Sequence, residues 1–220
     1  MKINLFLIRH AESEINCNKL KFFKQDPHIT KKGIEQCKEL KNFLIKNILS
    51  DKHIKCFCSI LLRTQETALL SIPYKKIYIS NYLKELSNII QESFTLKLGN
   101  FPNRSLEKQR ERLKNYIKPT SINRLQLLDP NIIDKRNNYR NKYYNEQGDI
   151  NLFLEHNKNK LKENDTIIIV CHGQIIKNFL HKKERLKNCS FIQVYNDETD
   201  KSFHLSKEKR QYDILFKPSL

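Results

Sequence analysis

Six consecutive residues, TIIIVC at 166–171, restrict this chain more than any other stretch. A strand with one wet face alternates apolar and polar residues, and this one does not. Such an unbroken β-branched run needs cover on both faces, which is the situation of a parallel strand sandwiched between helices. The flanking sequence agrees. Gly173 opens a segment whose Ile175, Ile176, Phe179 and Leu180 recur at helical spacing. Ile3–Ile8 reads as a second buried strand, Ile54–Cys58 as a third and Lys76–Ile79 as a fourth. Between them, Lys31–Leu49 places Ile34, Cys37, Leu40, Phe43 and Leu44 on one helical face, with Thr30 as its N-cap. Leu62–Leu70 is a shorter helix, and Ser190–Tyr195 with Ser202–Leu205 form an antiparallel pair. Alternating strands and helices predict an α/β fold, a three-layer α/β/α sandwich around a mostly parallel central sheet.

Residues 94–148 depart from that rhythm. They hold one helical pattern, Ser105–Ile117, stopped by Pro119, and then Asn-, Tyr- and Arg-rich sequence. Twelve Lys/Arg against five Asp/Glu give this stretch much of the net charge. The expectation is one domain over 1–220, with 94–148 as an inserted basic cap. Two full domains would each be small at 220 residues.

A net charge of +17 invites a nucleic-acid reading. Lysine outnumbers arginine about three to one and is spread along the whole chain, whereas nucleic-acid sites gather arginine and stacking aromatics into a patch. The distribution argues against nucleic acid as the main partner and for an acidic substrate drawn by a positive field. No run approaches the roughly 18 apolar residues of a membrane helix, and MKINLFLIRHAESE lacks the small-residue cleavage site of a signal peptide. Six cysteines include no C-x-x-C pair, and several sit in apolar runs, so neither disulfides nor a metal is expected. The expected compartment is a reducing cytoplasm.

The opening strand ends on Arg9 and His10, in LIRHAESEIN. Ser59 and Arg63 follow the third strand in SILLRTQETA, and His172 follows TIIIVC. Groups just beyond the carboxyl ends of parallel strands converge on one crevice. Two arginines and two histidines meeting there make a pocket for a dianion, with a phosphate monoester the evident candidate.

These segments resemble a known family. LIRHAESEIN is similar to the R-H-G-E-[ST]-x-x-N signature of the histidine phosphatase superfamily, the phosphoglycerate mutase-like proteins. DPHITKKG (Asp26–Gly33) resembles its D-x-x-L-T-x-x-G, SILLRTQETA its S-P-L-x-R-A-x-x-T-A, and VCHGQII its V-S-H-G-G-x-I. Asn188-Cys189-Ser190 resembles its N-x-S element. Of only four glycines, Gly33 and Gly173 both fall on motif positions.

The resemblance implies that His10 attacks phosphorus and carries it as a phosphohistidine that water then hydrolyses. Neutral imidazole suits that task at physiological pH. Arg9 and Arg63 would hold the non-bridging oxygens, and His172 would stabilise charge on the transferring group. Glu85, in the L-x-E element Leu83-Lys84-Glu85, is the chosen leaving-group acid, with Glu92 behind it. Ser13, Asn16 and Gly173 match family positions that contact phosphate or substrate. Cationic side chains take the part of Mg²⁺ in other phosphotransfer sites, so no cofactor is expected. Cys171 stands where the family often has Ser and is read as packing behind His172, a cysteine nucleophile being the weaker rival. Ala11 replaces the common Gly, Ile60 a Pro and Thr64 an Ala, all tolerable. Segment 94–148 does not look like the matching region of the glycolytic mutases, which favours hydrolysis over mutase chemistry. The expected substrate is a phosphorylated anionic small molecule, such as a sugar, inositol or nucleotide phosphate, or else a phosphoprotein. The alternatives are mutase-type phosphotransfer, a catalytically silent phosphate-binding or scaffold protein, and a nucleic-acid binder on a vestigial fold.

Overall fold

TIIIVC lies at the centre of the molecule. In a computed structural model of the chain, described over residues 3–17, 26–50, 53–85, 111–115, 125–132, 148–196, 203–205 and 211–212, all six of its residues are buried. The described elements are β1 (Asn4–Arg9), α1 (Glu14–Cys17), α2 (Lys31–Asn47), β2 (Ile54–Ser59), α3 (Leu62–Ser71), β3 (Ile77–Ser80) and β4 (Leu128–Ile132). They continue with α4 (Ile150–Asn157), β5 (Thr166–Cys171), α5 (Gly173–Phe179), β6 (Phe191–Asn196), β7 (Phe203–Leu205) and β8 (Gln211–Tyr212). The sheet runs β4-β3-β2-β5-β1-β6-β7, with β8 also paired to β6. β1 through β5 are mutually parallel, and β6, β7 and β8 add antiparallel pairings at one side.

Alternation along the strands builds two cores, one on each face. Phe6 and Ile8 of β1, Cys56 and Cys58 of β2, and Ile168 and Val170 of β5 pack with Cys37, Leu40 and Leu44 of α2 and with α3. Leu5, Leu7, Phe57, Ile167 and Ile169 face the other way, onto Phe153 of α4 and Ile175 and Ile176 of α5. This is the three-layer α/β/α sandwich of the sequence reading. Thr30 caps α2 as expected, its hydroxyl accepting from the Gly33 amide at 3.0 Å.

Within 94–148 the described residues show a helical turn at 111–115, inside the expected helix, and strand β4. β4 pairs parallel with β3, so part of the stretch read as an insertion is an edge strand of the central sheet. A strand of sequence LDPNI, with Pro130 inside it, carries almost no periodic signal, and edge positions are where a strand tolerates proline. Helix α4 was not anticipated, although its buried residues Ile150, Phe153, Leu154 and Asn157 recur at helical spacing; eight residues are too short a window for that pattern to stand out. Most of the expected cap, residues 18–25 and Glu92 lie outside the described residues. All six cysteines are free thiols, five of them buried. Among the described residues, no helix is long and apolar enough to cross a membrane.

Candidate active site

The parallel pairing brings the carboxyl ends of four strands into line. Arg9 pairs with Cys171, and Ser59 with Ser80, so β1, β5, β2 and β3 finish at one edge. The next residues along the chain therefore meet: His10 after β1, His172 after β5, Arg63 on α3 after β2, and Glu85 after the 3₁₀ turn Asn81–Leu83 that follows β3. The two imidazoles lie edge to face with ring centroids 5.3 Å apart.

His10 is 3% exposed. Its Nδ1 sits 2.7 Å from the Ala11 carbonyl, which only accepts, so Nδ1 carries the proton and Nε2 is a bare lone pair. Arg63 Nε donates to that Nε2 at 3.4 Å. Burial, then the guanidiniums of Arg63 and Arg9, hold His10 well below the usual imidazole range. The ring is thus neutral, with its nucleophilic nitrogen turned toward two cations.

His172 is oriented by Ser59. The Ser59 hydroxyl accepts from the Leu61 amide at 3.3 Å and stands within hydrogen-bond distance of His172 Nε2, at 2.9 Å. His172 Nδ1 has no hydrogen-bond partner among the described residues and lies 3.7 Å from Glu85 Oε2, a carboxylate oxygen that favours the proton on Nδ1, with Ser59 then donating to Nε2. Burial, with Arg63, His10 and Arg9 adding to it, keeps His172 neutral as well. Ser59 opened one of the sequence motifs without being assigned a role; a hydroxyl at the carboxyl end of a buried strand was the available signal.

Glu85 is held at both oxygens. Oε1 accepts from the Gln174 amide at 3.0 Å, and Oε2 is 3.6 Å from Arg63 Nη2. Gly148 fixes the chain behind it: its amide donates to the Lys84 carbonyl at 2.9 Å, and a Cβ there would come within 2.4 Å of the Lys84 and Tyr82 carbonyls. Arg9 Nη1 donates to the Leu186 carbonyl at 2.5 Å. Gly173 leaves room for it, since a Cβ would meet Arg9 Nε at 3.1 Å.

Among the described residues, three buried nitrogens of this site are left without a hydrogen-bond partner: Arg9 Nε, Arg63 Nη1 and His172 Nδ1. Buried donors left unmade are costly, and this arrangement fits an oxygen-rich anion. His10, Glu85 and His172 also offer ligand atoms within 4.8 Å of one another, a spacing that a metal ion requires. The donor set does not suit a cation, because the Arg63 guanidinium touches both His10 and Glu85 and Arg9 adds a second positive charge. Cys171 is buried and burial pushes its thiol far above the usual range, so it packs rather than attacks.

Ser13 and Asn16 sit beside this cluster but are engaged with each other. Ser13 donates through both its amide and its hydroxyl to Asn16 Oδ1, at 3.0 and 2.9 Å, which caps α1. Asn188 Nδ2 joins them to the nucleophile's backbone, donating to Asn16 Oδ1 and to the His10 carbonyl, each at 3.1 Å.

A second polar cluster, unforeseen from sequence, supports α3. Asp26 Oδ1 accepts from the Leu62 amide at 2.9 Å, capping the helix that carries Arg63. Glu66, with no exposed surface, binds His28 Nδ1 and accepts from the Ile29 amide at 2.8 Å. Arg112, from the helical turn at 111–115, donates to the Asp26 carbonyl at 3.0 Å. His28 stands at a variable position of the DPHITKKG motif, and nothing local marks Glu66 as its partner 38 residues away.

Residues 5–97 match the sequence model of the histidine phosphatase superfamily (branch 1). No curated protein sequence matches the chain. Among solved structures, a histidine-to-alanine mutant of phosphoserine phosphatase from Entamoeba histolytica, in complex with phosphoserine, is 22% identical with a TM-score of 0.52, covering 93% of this chain and 95% of the other. Phosphoglycerate mutase from Bacillus anthracis is 18% identical with a TM-score of 0.52, covering 93% and 91%. A candidate alpha-ribazole-5'-P phosphatase from Escherichia coli is 16% identical with a TM-score of 0.52, covering 92% and 94%. At these identities the likeness is one of fold, while the strand-end cluster falls within and alongside the segment that the family's sequence model matches. Residues 5–97 thus carry the sequence signature of the histidine phosphatase superfamily, and the chain resembles phosphatases and a mutase in fold.

Proposed function

We propose that the protein is a metal-independent phosphatase that hydrolyses phosphate monoesters through a phosphohistidine on His10. The observation that carries this reading is the state of His10: a buried, neutral imidazole whose protonated Nδ1 is tied to Ala11 and whose free Nε2 faces Arg63. A phosphoryl group held by the three unpartnered donors would sit beside His10, whose ring lies next to the Arg63 guanidinium and the His172 ring. His10 Nε2 forms a bond to phosphorus as the ester P–O bond breaks. The departing alkoxide takes a proton from the Glu85 carboxyl, and Arg9, Arg63 and His172 hold the non-bridging oxygens. Water then attacks phosphorus, its proton returns to Glu85, and the N–P bond breaks to release inorganic phosphate. Donors aimed where charge develops are worth on the order of 100- to 1000-fold in rate each.

The site's charge supports an anionic phosphomonoester as substrate; the E. histolytica and B. anthracis neighbours are named for small phosphorylated carboxylic acids. The test is phosphate release from an aryl phosphate in EDTA, wild type against His10→Ala. An aryl leaving group needs little help from an acid, so the result does not depend on Glu85. Turnover that survives EDTA and disappears in His10→Ala is expected, together with an acid-labile phosphoprotein on rapid quenching of wild type alone. Turnover unchanged in His10→Ala would overturn the assignment.

A further inference from the structure

At the rim of the donor cluster one guanidinium has no counter-charge. Arg185, exposed on the stretch between α5 and β6, donates from Nε and Nη2 to the same oxygen, Gln174 Oε1, at 3.0 and 2.7 Å. Gln174 is itself tied to the site, because its amide donates to Glu85. The Gln174 side chain is further fixed by donation from Nε2 to Asn178 Oδ1 at 2.7 Å. Arg185 is therefore oriented by a neutral oxygen, and among the described residues no carboxylate pairs with it and Nη1 donates to nothing.

Its position is what matters. Gly173 is flanked by two arginines: a Cβ there would meet Arg9 Nε at 3.1 Å and Arg185 Cβ at 3.3 Å. Arg9 Nε is one of the three unpartnered donors. The Arg185 charge adds to burial in lowering the Arg9 pKa, as like charges placed close together must. Orienting a third arginine beside two others is unfavourable until an anion arrives. A bound phosphoryl group uses Arg9, Arg63 and His172, and leaves Arg185 unmatched.

We propose that Arg185 is a specificity-determining residue that takes a second oxyanion of the substrate, a carboxylate or another phosphoryl group, a short distance from the ester being cleaved. This rests on the phosphatase reading for its reaction but not for its binding. The free Nη1 and the remaining Nη2 hydrogen form the planar fork that suits either group.

The experiment compares kcat/KM for ethyl phosphate, phosphoglycolate and ethane-1,2-diol bisphosphate in wild type, Arg185→Ala, Arg185→Lys and Lys183→Ala. Wild type is expected to favour a doubly anionic ester over ethyl phosphate by about tenfold, the scale of one partly exposed charge-assisted contact. Arg185→Ala removes that ratio, Arg185→Lys restores only part of it, and Lys183→Ala, which changes the general field alone, preserves it. Preference for phosphoglycolate identifies a carboxylate, and preference for the bisphosphate a second phosphoryl group. A structural role for Arg185 would lower all three rates together and leave the ratio intact, which overturns the proposal. So does an absent preference in wild type, or an equal loss in Lys183→Ala. Calorimetric binding of the same three compounds to His10→Ala, with and without Arg185→Ala, separates the two readings. Discrimination that depends on Arg185 without hydrolysis in wild type overturns the phosphatase assignment alone, and binding without discrimination overturns the role of Arg185.

Discussion

Replacing Asp26 by Asn should stabilise the protein at pH 8 and leave its stability near pH 4 unchanged. Asp26 is 2% exposed, and burial raises its carboxyl from the ordinary 3.8 to about 6 against the opposing pull of Arg63, the Leu62 amide and Arg112. A raised acid binds its proton more tightly in the folded chain than in the unfolded one. Stability therefore falls as pH climbs from about 4 through about 6, and the loss is complete above that window. A shift of about two units corresponds to about 3 kcal/mol at pH 8, since each unit is worth about 1.4 kcal/mol. Asparagine escapes this loss while keeping the useful contact: its side-chain oxygen still accepts from the Leu62 amide, and it tolerates the φ of 47° found at this residue. Urea denaturation at pH 8, 6 and 4 reads the effect directly. The expected advantage of Asp26→Asn is about 2–3 kcal/mol at pH 8, smaller at pH 6 and absent at pH 4. A variant less stable than wild type at pH 8 would refute the reasoning, because it would mean that attraction to Arg63 and Arg112 exceeds the burial penalty. A pH-independent difference would do the same.

Three further outcomes follow from the geometry of the site. Ser59→Ala removes the hydroxyl that sets the His172 tautomer and should lower kcat by about 10- to 100-fold with little change in melting temperature; an unaltered kcat would remove Ser59 from the site's design. Gly173→Ala presses a methyl group onto Arg9 Nε and Cδ at 3.1 and 3.2 Å, so phosphate affinity, read as competitive inhibition by inorganic phosphate, should weaken about tenfold. Equal inhibition in the variant would show that Arg9 does not reach the anion. Glu85→Gln keeps the acceptor for the Gln174 amide but carries no acidic proton; alkyl phosphate hydrolysis should drop by at least about 100-fold while aryl phosphate hydrolysis changes far less. An equal drop on both substrates would assign the leaving-group proton to another residue.

What the sequence determined alone is everything that depends on neighbours a few residues apart. The unbroken apolar run of 166–171, the 3.6-residue stripe of α2 and the Thr30 cap are local patterns with one physical solution each, and the three-layer sandwich follows from repeating them. Strand-end placement then anticipated that Arg9, His10, Arg63 and His172 would meet, because parallel strands of matched register must end together. Glu85 joins them through the same rule, although its short L-x-E signature carried the choice only by resemblance. What the tertiary structure alone decided is which atom of each group does what. The proton sits on His10 Nδ1 because a carbonyl happens to face it, and the tautomer of His172 is set by Ser59, 113 residues earlier, at Nε2 and by the Glu85 carboxylate facing Nδ1. The burial of Asp26 and Glu66, the support that Arg112 gives α3 and the unmatched charge of Arg185 are likewise products of contacts between distant segments. A carboxylate looks the same in sequence whether it is wet or buried, and only the packing around it sets the dielectric, the partners and hence the charge. Strand β4 makes the same point for the backbone: LDPNI has no pattern of its own, and it is a strand because the open edge of β3 offers it hydrogen bonds.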